Sequence, residues 1–160
     1  MEIRSAAPEE FPAIGDLCVA AYEPFVRVAG SYVETLRDVA SRAAAAEVLV
    51  AADDGRVLGT VTFVPDGGPL GEIAGPDEAE FRMLAVDPAA QGRGVGLALM
   101  EHLVDDSRAR GKTAIVCSSQ PTMEAAHRIY DRLGFERDPE RDWSPLPGVR
   151  LLAFALKVRG

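Results

Sequence analysis

The sequence predicts a single α/β (α+β) domain built on a mixed central β-sheet. Runs rich in β-branched residues alternate with stretches of helical apolar spacing, in the order β-α-α-β-β-β-α-β-α-β-β. The chain has 160 residues, of which 48% are apolar, and this is enough for one core. No internal repeat, low-complexity tract or linker interrupts it. We therefore expect residues 1–160 to form one domain, with about seven strands and about four helices.

The first half of the chain is predicted to hold a strand, two helices and a β-hairpin. Ser31-Tyr32-Val33-Glu34 matches a capping box, which predicts that a helix begins at Ser31. Asp53-Asp54-Gly55 is a tight-turn signal between two apolar runs and predicts a hairpin. The expected elements are a strand at Met1–Ala6, a helix from Pro8 to about Ala21, the helix from Ser31 to about Ala43, and strands at Val48–Ala52 and Arg56–Val64.

The second half is predicted to alternate strands and helices. Pro65–Asp77 is packed with glycine and proline and predicts a loop. Gly111 and Gly134 predict the ends of two helices. The expected elements are a strand at Glu78–Val86, a helix led by Gly92, Gly94 and Gly96, a strand at Lys112–Ser118, a helix from about Thr122 to Leu133, extended chain at Phe135, a polar loop at Arg137–Pro147 and a last strand at Val149–Val158.

Composition and charge restrict the possible partners. A net charge of −8 and a pI near 4.8 argue against nucleic acid, because phosphate repels an acidic surface. The same charge suits a cationic substrate such as an amine, although acidity also serves solubility alone. No apolar run is long enough to cross a bilayer, and the N-terminus lacks a signal-peptide layout. We expect no membrane partner and a cytoplasmic location.

Soft metal ligands are few. Cys18 and Cys117 are far apart, and their spacing suits neither a zinc site nor a redox dithiol, so both are interpreted as small buried residues. His102 and His127 are the only histidines. The sequence therefore predicts no metal.

Three glycines in one short segment indicate a site for an anion. Gln91-Gly92-Arg93-Gly94-Val95-Gly96 follows a strand and leads into a helix. Glycine lets the backbone approach a ligand closely, and the free N–H groups of a first helical turn favour phosphate. A Walker loop would need Gly-Lys-Ser/Thr, and a Rossmann loop would need G-x-G-x-x-G at the first strand–helix turn. Neither pattern is present.

This segment resembles the cofactor motif of the GNAT acetyltransferases, Gln/Arg-x-x-Gly-x-Gly/Ala, which Gln91 to Gly96 match in full. Two further stretches carry the resemblance. Val86-Asp87-Pro88 is similar to the end of the family's fourth strand, and His127 to Phe135 is similar to a later helix that carries a tyrosine and ends in Gly-Phe. The order of elements is also similar, from about Glu2 to Lys157.

The resemblance implies acetyl-CoA as co-substrate and a sheet that splays between strands 4 and 5 at a bulge. The pantetheine arm would pair with the backbone of Leu84, Ala85 and Val86, and the amides of Gly92 to Gly96 would hold the pyrophosphate. Three arginines could offset the phosphate charge, or be ordinary surface residues: Arg93, Arg128 and Arg132.

The implied reaction is direct attack of a neutral primary amine on the thioester in a ternary complex. Tyr130 occupies the position of the family's tyrosine and is the candidate donor of a proton to the leaving thiolate; packing between helix and sheet is the alternative. A backbone N–H near Val86 could polarise the carbonyl. Glu80 is the candidate base, with Glu78 as substitute; orientation of the amine, a solvated strand end or a chain of water molecules are the alternatives.

The acceptor is expected to be an amine of a small molecule or of a peptide or protein. It should meet the segment from Tyr22 to Tyr32 and the loop Pro65–Asp77. Candidate wall residues are Tyr22, Glu23, Phe25, Tyr32 and Glu34, which could equally be core and caps. Two other functions remain open, a non-catalytic acyl-CoA sensor and a transferase for a longer acyl group. Leu151–Leu156 is apolar enough for a homodimer contact or for a buried strand.

Overall fold

A computed structural model describes residues 1–23 and 31–159 of the chain. The described strands are β1 (Glu2–Ser5), β2 (Glu47–Asp53), β3 (Arg56–Val64), β4 (Glu78–Val86), β5 (Ala114–Ser119), β6 (Glu136–Arg137), β7 (Trp143–Leu146) and β8 (Val149–Lys157). The described helices are α1 (Phe11–Tyr22), α2 (Ser31–Arg37), α3 (Val39–Ala45), α4 (Val95–Ala109) and α5 (Glu124–Leu133). None of these helices is long and apolar enough to cross a membrane.

The strands form one mixed sheet, which confirms the predicted fold class. The order is β1-β2-β3-β4-β5-β8-β6, and β7 pairs with β8 outside this path. Only the β4–β5 pair is parallel among the described strand pairs. Such a pair needs a crossover, and α4 supplies it with a buried face that includes Leu99 and Leu103.

The core lies on both faces of the sheet. One cluster packs α4 and α5 against the sheet around Phe81, Leu99 and Ile115. The other packs the N-terminal helices around Ile14 and Leu36. Cys18 and Cys117 are free and buried, as expected from the sequence.

The helix predicted from Ser31 to about Ala43 is divided in two. Asp38 leaves the helical conformation, at φ −81° and ψ 64°, and its carboxylate accepts the backbone N–H of Ser41 at 3.2 Å. Asp38 thereby caps the start of α3 and ends α2. The side chain of Ser31, the predicted cap, lies outside the described residues.

The predicted polar loop Arg137–Pro147 is wrong in part, because β6 ends within it and it contains β7. Asp142 fixes this segment by accepting the backbone N–H of Ala153 at 2.7 Å and the guanidinium of Arg137 at 2.6 Å. β8 is paired with β5 along one edge and with β6 and β7 along the other. Its apolar sequence is therefore explained by its place inside the sheet, and a homodimer remains a prediction.

The sheet opens between β4 and β5. These strands pair only at Glu78–Ala114, Ala79–Ile115 and Glu80–Val116. Beyond Glu80 a bulge places Met83 and Leu84 opposite the single residue Val61, and Met83 has a φ of +58°. The edge of β4 after Glu80 consequently has no strand partner from β5, and the predicted splay is confirmed.

Candidate functional site

A cradle of backbone forms between β4 and α4. The Asp87 carboxylate accepts the N–H of Ala89 at 2.9 Å and fixes a short 3-10 turn, Pro88–Ala90. Gly92 and Gly94 follow with φ values of +81° and +76°, and Gly94 is the N-cap of α4. A Cβ added at either glycine would meet no protein atom within 4 Å. Both glycines therefore border open space at a helix N-terminus, which suits an anionic ligand.

The third glycine of the segment has a different role. A Cβ at Gly96 would lie 2.8 Å from Ile129 Cδ1 and 3.5 Å from Val86 Cγ2. Gly96 therefore allows α5 to approach α4 closely, which brings the side chains of α5 to the cradle.

The cradle opens into a cavity of about 350 Å³ between the segment and α5. Arg128 and Arg132 line it and supply positive charge opposite the glycine amides. Arg93 does not line it, and its guanidinium pairs with Asp53 at 3.3 Å. The described lining is Val86, Ala90, Gln91, Gly92, Gly94, Val95, Gly96, Leu97, Ala125, Arg128, Ile129 and Arg132.

A second cavity of about 540 Å³ lies where β4 and β5 separate. Residues 81–84 of β4 form one side, and residues 118–120 at and just after the end of β5 form another. Tyr130 of α5 and both Tyr22 and Tyr32 also line it. Tyr22 donates its hydroxyl hydrogen to the carbonyl oxygen of Leu84 at 3.1 Å, so one of the groups predicted to pair with pantetheine already has a partner.

Tyr130 lies in an aromatic cluster with its side chain 4% exposed. Its ring centroid is 5.8 Å from that of Phe81, 5.5 Å from Phe135 and 5.3 Å from Phe154. Burial, with the Cys117 thiol nearby, raises the pKa of Tyr130 well above its ordinary 10.0. The phenol therefore keeps its proton at neutral pH, as a proton donor must, and it borders the larger cavity.

Glu80 is placed differently from a free carboxylate in a cleft. It is 0% exposed and does not line either cavity described above. Its carboxylate accepts the backbone N–H groups of Glu72 at 2.9 Å, Ile73 at 3.1 Å and Ala74 at 3.1 Å. All three bonds go to Oε1, and Oε2 accepts a longer bond of 3.4 Å from Ile73. The geometry thus supports anchoring of the loop before β4 better than the predicted role of general base.

Glu78, the substitute base, is also engaged. It receives hydrogen bonds from Arg141 at 2.5 and 3.1 Å and from the N–H of Gly75 at 2.9 Å. The bonds from Arg141 lower the pKa of the Glu78 carboxyl. This carboxylate ties the loop before β4 to the turn Pro139–Arg141.

The predicted acceptor wall is found only in part. Tyr22 and Tyr32 line the larger cavity, whereas Glu23 and Glu34 are exposed and do not. Phe25 lies outside the described residues. The charged residues at this wall are Glu72, from the predicted loop, and Arg82, from β4. Nothing in the sequence pattern distinguished them from other loop and strand charges.

A model described as the acetyltransferase (GNAT) family matches residues 11–135, which is more than half of the chain. The chain belongs to this GNAT family. The match includes Gln91 to Gly96, Glu80 and Tyr130, so every predicted site residue lies inside the GNAT region.

Known GNAT proteins are similar in sequence and in fold. The [ribosomal protein bS18]-alanine N-acetyltransferase of Escherichia coli K12 is 39% identical over 70 residues, which are 43% of this chain and 47% of that protein. The chain thus spans about half the length of this curated relative.

Two solved structures share the fold. The yncA protein of Salmonella typhimurium, solved with its cofactor acetyl-CoA, has a TM-score of 0.70 and 24% identity, covering 100% of this chain and 95% of that one. An aminoglycoside 6'-N-acetyltransferase in complex with coenzyme A has a TM-score of 0.73 and 14% identity, and the match covers 100% of this chain and 98% of that one. At these identities the comparison establishes the GNAT fold.

Among residues 1–23 and 31–159, no group of three His, Cys, Asp or Glu side chains is arranged to hold a metal ion.

Proposed function

We propose that the protein is an N-acetyltransferase that moves an acetyl group from acetyl-CoA to a primary amine in a ternary complex. The observation that carries this proposal is the position of the glycine cradle and of Tyr130 on two adjoining cavities, both bounded by β4 and α5. Membership of the GNAT family supports it, and so do the acetyl-CoA and CoA complexes of the two structural neighbours.

The backbone cradle would hold the co-substrate's pyrophosphate. Gly92 and Gly94 leave room for it, the first turn of α4 offers N–H groups, and Arg128 and Arg132 add positive charge. Leu84, Ala85 and Val86 lie on the part of β4 that has no partner in β5. A pantetheine amide could therefore bind there as an added strand would.

Tyr130 would complete the transfer. As the amine nitrogen bonds to the acetyl carbon, the carbon–sulfur bond breaks and leaves a thiolate. Tyr130 gives its phenolic proton to that sulfur and recovers one, through solvent, from the attacking nitrogen, which loses a proton as the amide forms. Backbone N–H groups of β4 near the bulge would stabilise the oxyanion.

A combined binding and turnover experiment tests this function. Acetyl-CoA at about 100 times its Kd should stabilise the folded state by about 2.7 kcal/mol and raise the Tm, because it binds only that state. Mixing with a panel of primary amines should then release free thiol. Stabilisation without thiol release from any amine would instead indicate an acyl-CoA sensor.

A further inference from the structure

The wall of the larger cavity beside Tyr22 and Tyr32 carries one negative and one positive side chain that acetyl transfer itself does not require. Glu72 and Arg82 line the cavity beside Tyr22 and Tyr32. Their side chains are only 19% and 24% exposed, so both charges are largely removed from water. Charged groups in such positions need close partners.

The two charges are not well paired with each other. Arg82 Nη1 lies 4.0 Å from Glu72 Oε2, which is too far for a hydrogen bond. Within the described ranges this is the only ion pair that Arg82 makes, although a guanidinium has five N–H donors. Burial raises the pKa of Glu72 even with Arg82 nearby, as expected for a carboxylate with too few donors.

The fold holds Glu72 in place. Its backbone N–H donates to Glu80 at 2.9 Å, and the next two residues donate to the same carboxylate. Arg141 donates to the carbonyl oxygen of Ile73 at 3.2 Å. Arg82 is held by the strand β4. The backbone positions of both residues are therefore fixed, and both side chains reach the same cavity.

We infer that Glu72 and Arg82 bind a zwitterionic acceptor, a free α-amino acid, with Glu72 on its ammonium group and Arg82 on its carboxylate. This inference rests on the proposed acetyl transfer. The guanidinium matches a carboxylate in a two-bond geometry, and a carboxylate beside tyrosine rings suits an ammonium group. An amine without a carboxylate would leave Arg82 unsatisfied and would be repelled by it.

The test uses sets of three acceptors that differ at one group. Each standard L-amino acid is compared with its amide and with the amine that lacks the carboxyl group, for example leucine, leucinamide and 3-methylbutylamine. Release of thiol from acetyl-CoA gives kcat and KM. Binding to the protein–CoA complex is measured separately by calorimetry, so that an acceptor that binds without reacting is still detected.

The preferred amino acid should exceed its amide and its amine by about 10- to 100-fold in kcat/KM, the effect of one hydrogen-bonded charge. Arg82→Gln should remove this preference mainly through KM, which should rise for the amino acid and fall for the amine that Arg82 no longer repels. Arg82→Lys should keep part of the preference. Glu72→Gln should weaken all three acceptors, since each carries an ammonium group. Arg108→Gln, which removes a guanidinium paired with Asp105, is the matched control.

The outcomes separate this inference from the proposed function. If amides or simple amines react as well as amino acids and Arg82→Gln changes nothing, the inference is overturned while acetyl transfer stands. If no amino acid either reacts or binds to the CoA complex, the inference is also overturned. If amino acids bind in an Arg82-dependent manner but no thiol is released, the subsite is supported and acetyl transfer fails.

Discussion

Gly92 and Gly94 have a backbone conformation that other residues rarely adopt, and they border open space. At Gly94 a side chain would be strained at φ +76° by about 1–3 kcal/mol and would project into the open space where we propose that the pyrophosphate binds. Since a domain is stable by about 5–15 kcal/mol, the fold should survive this cost. Binding of acetyl-CoA, in contrast, should be lost, because the side chain would occupy the space of the ligand.

We predict that Gly94→Val removes the rise in Tm caused by acetyl-CoA. Gly67→Val is the matched control, because Gly67 has a φ of +72° and is equally open but lies in the loop before β4. Both variants should lose similar stability, as measured by thermal unfolding without ligand. Normal binding of acetyl-CoA by Gly94→Val would place the phosphate elsewhere.

Tyr130 is buried and lines the larger cavity. Tyr130→Phe removes only the hydroxyl and its proton. It should lower kcat by about 100-fold, within the range of general acid catalysis, and leave the Kd of acetyl-CoA nearly unchanged. If kcat is unaffected while chemistry limits the rate, Tyr130 is a packing residue.

The loop before β4 depends on a single buried carboxylate for three of its backbone N–H groups. All three donate to Oε1, so Glu80→Gln can keep one accepting oxygen for them. It removes the charge that strengthens these bonds, however, and puts an NH2 group against the N–H of Ile73, which also approaches Oε2 at 3.4 Å. We predict a loss of about 1–3 kcal/mol in the free energy of unfolding, a higher KM for the acceptor and an unchanged Kd for acetyl-CoA.

The same variant decides between anchor and base. As an anchor, Glu80→Gln retains the pH profile of kcat/KM and shows faster amide exchange at residues 72–74. If Glu80 is the base, the kcat/KM profile of Glu80→Gln loses the part that rises with pH. Its activity then partly recovers at high pH, where free amine is plentiful. Glu140→Gln, at an exposed position, is the control for loss of charge alone.

The molecule consists of two sheet regions that meet at three residue pairs between β4 and β5. In the C-terminal region, Asp142 connects the segment before β7 to β8. Its carboxylate pairs with Arg137 and Arg150 and accepts the backbone N–H of Ala153. Its hydrogen bond from Arg137 is the largest of several that lower the pKa of Asp142 from 3.8 to about 2.

This shift predicts how acid affects the whole fold. A carboxyl with a pKa lower in the folded state contributes stability above its unfolded pKa of about 3.9, and the contribution is lost as pH falls to about 2. Denaturant unfolding should therefore show Asp142→Asn to be less stable than wild type at pH 7. The two curves should converge between about pH 4 and 2. A difference that does not vary with pH would contradict the assigned cause.

The sequence by itself determined the parts of this protein that depend on neighbouring residues. Turn residues and periodicity predicted the β2–β3 hairpin, the mixed strand–helix order and the start of α4. The glycine segment and the tyrosine of α5 carried the resemblance to the GNAT family, because such motifs are contiguous in the chain.

Only the tertiary structure decided what the carboxylates do. Glu80 meets N–H donors that are six to eight residues away, and backbone donors leave no mark in a sequence pattern. The β4 bulge and loop bring Glu72, Arg82 and Tyr22 to one cavity from three separate segments. Such neighbours depend on how strands pair and separate, which local periodicity does not encode, so the proposed acceptor subsite could be inferred only from the fold.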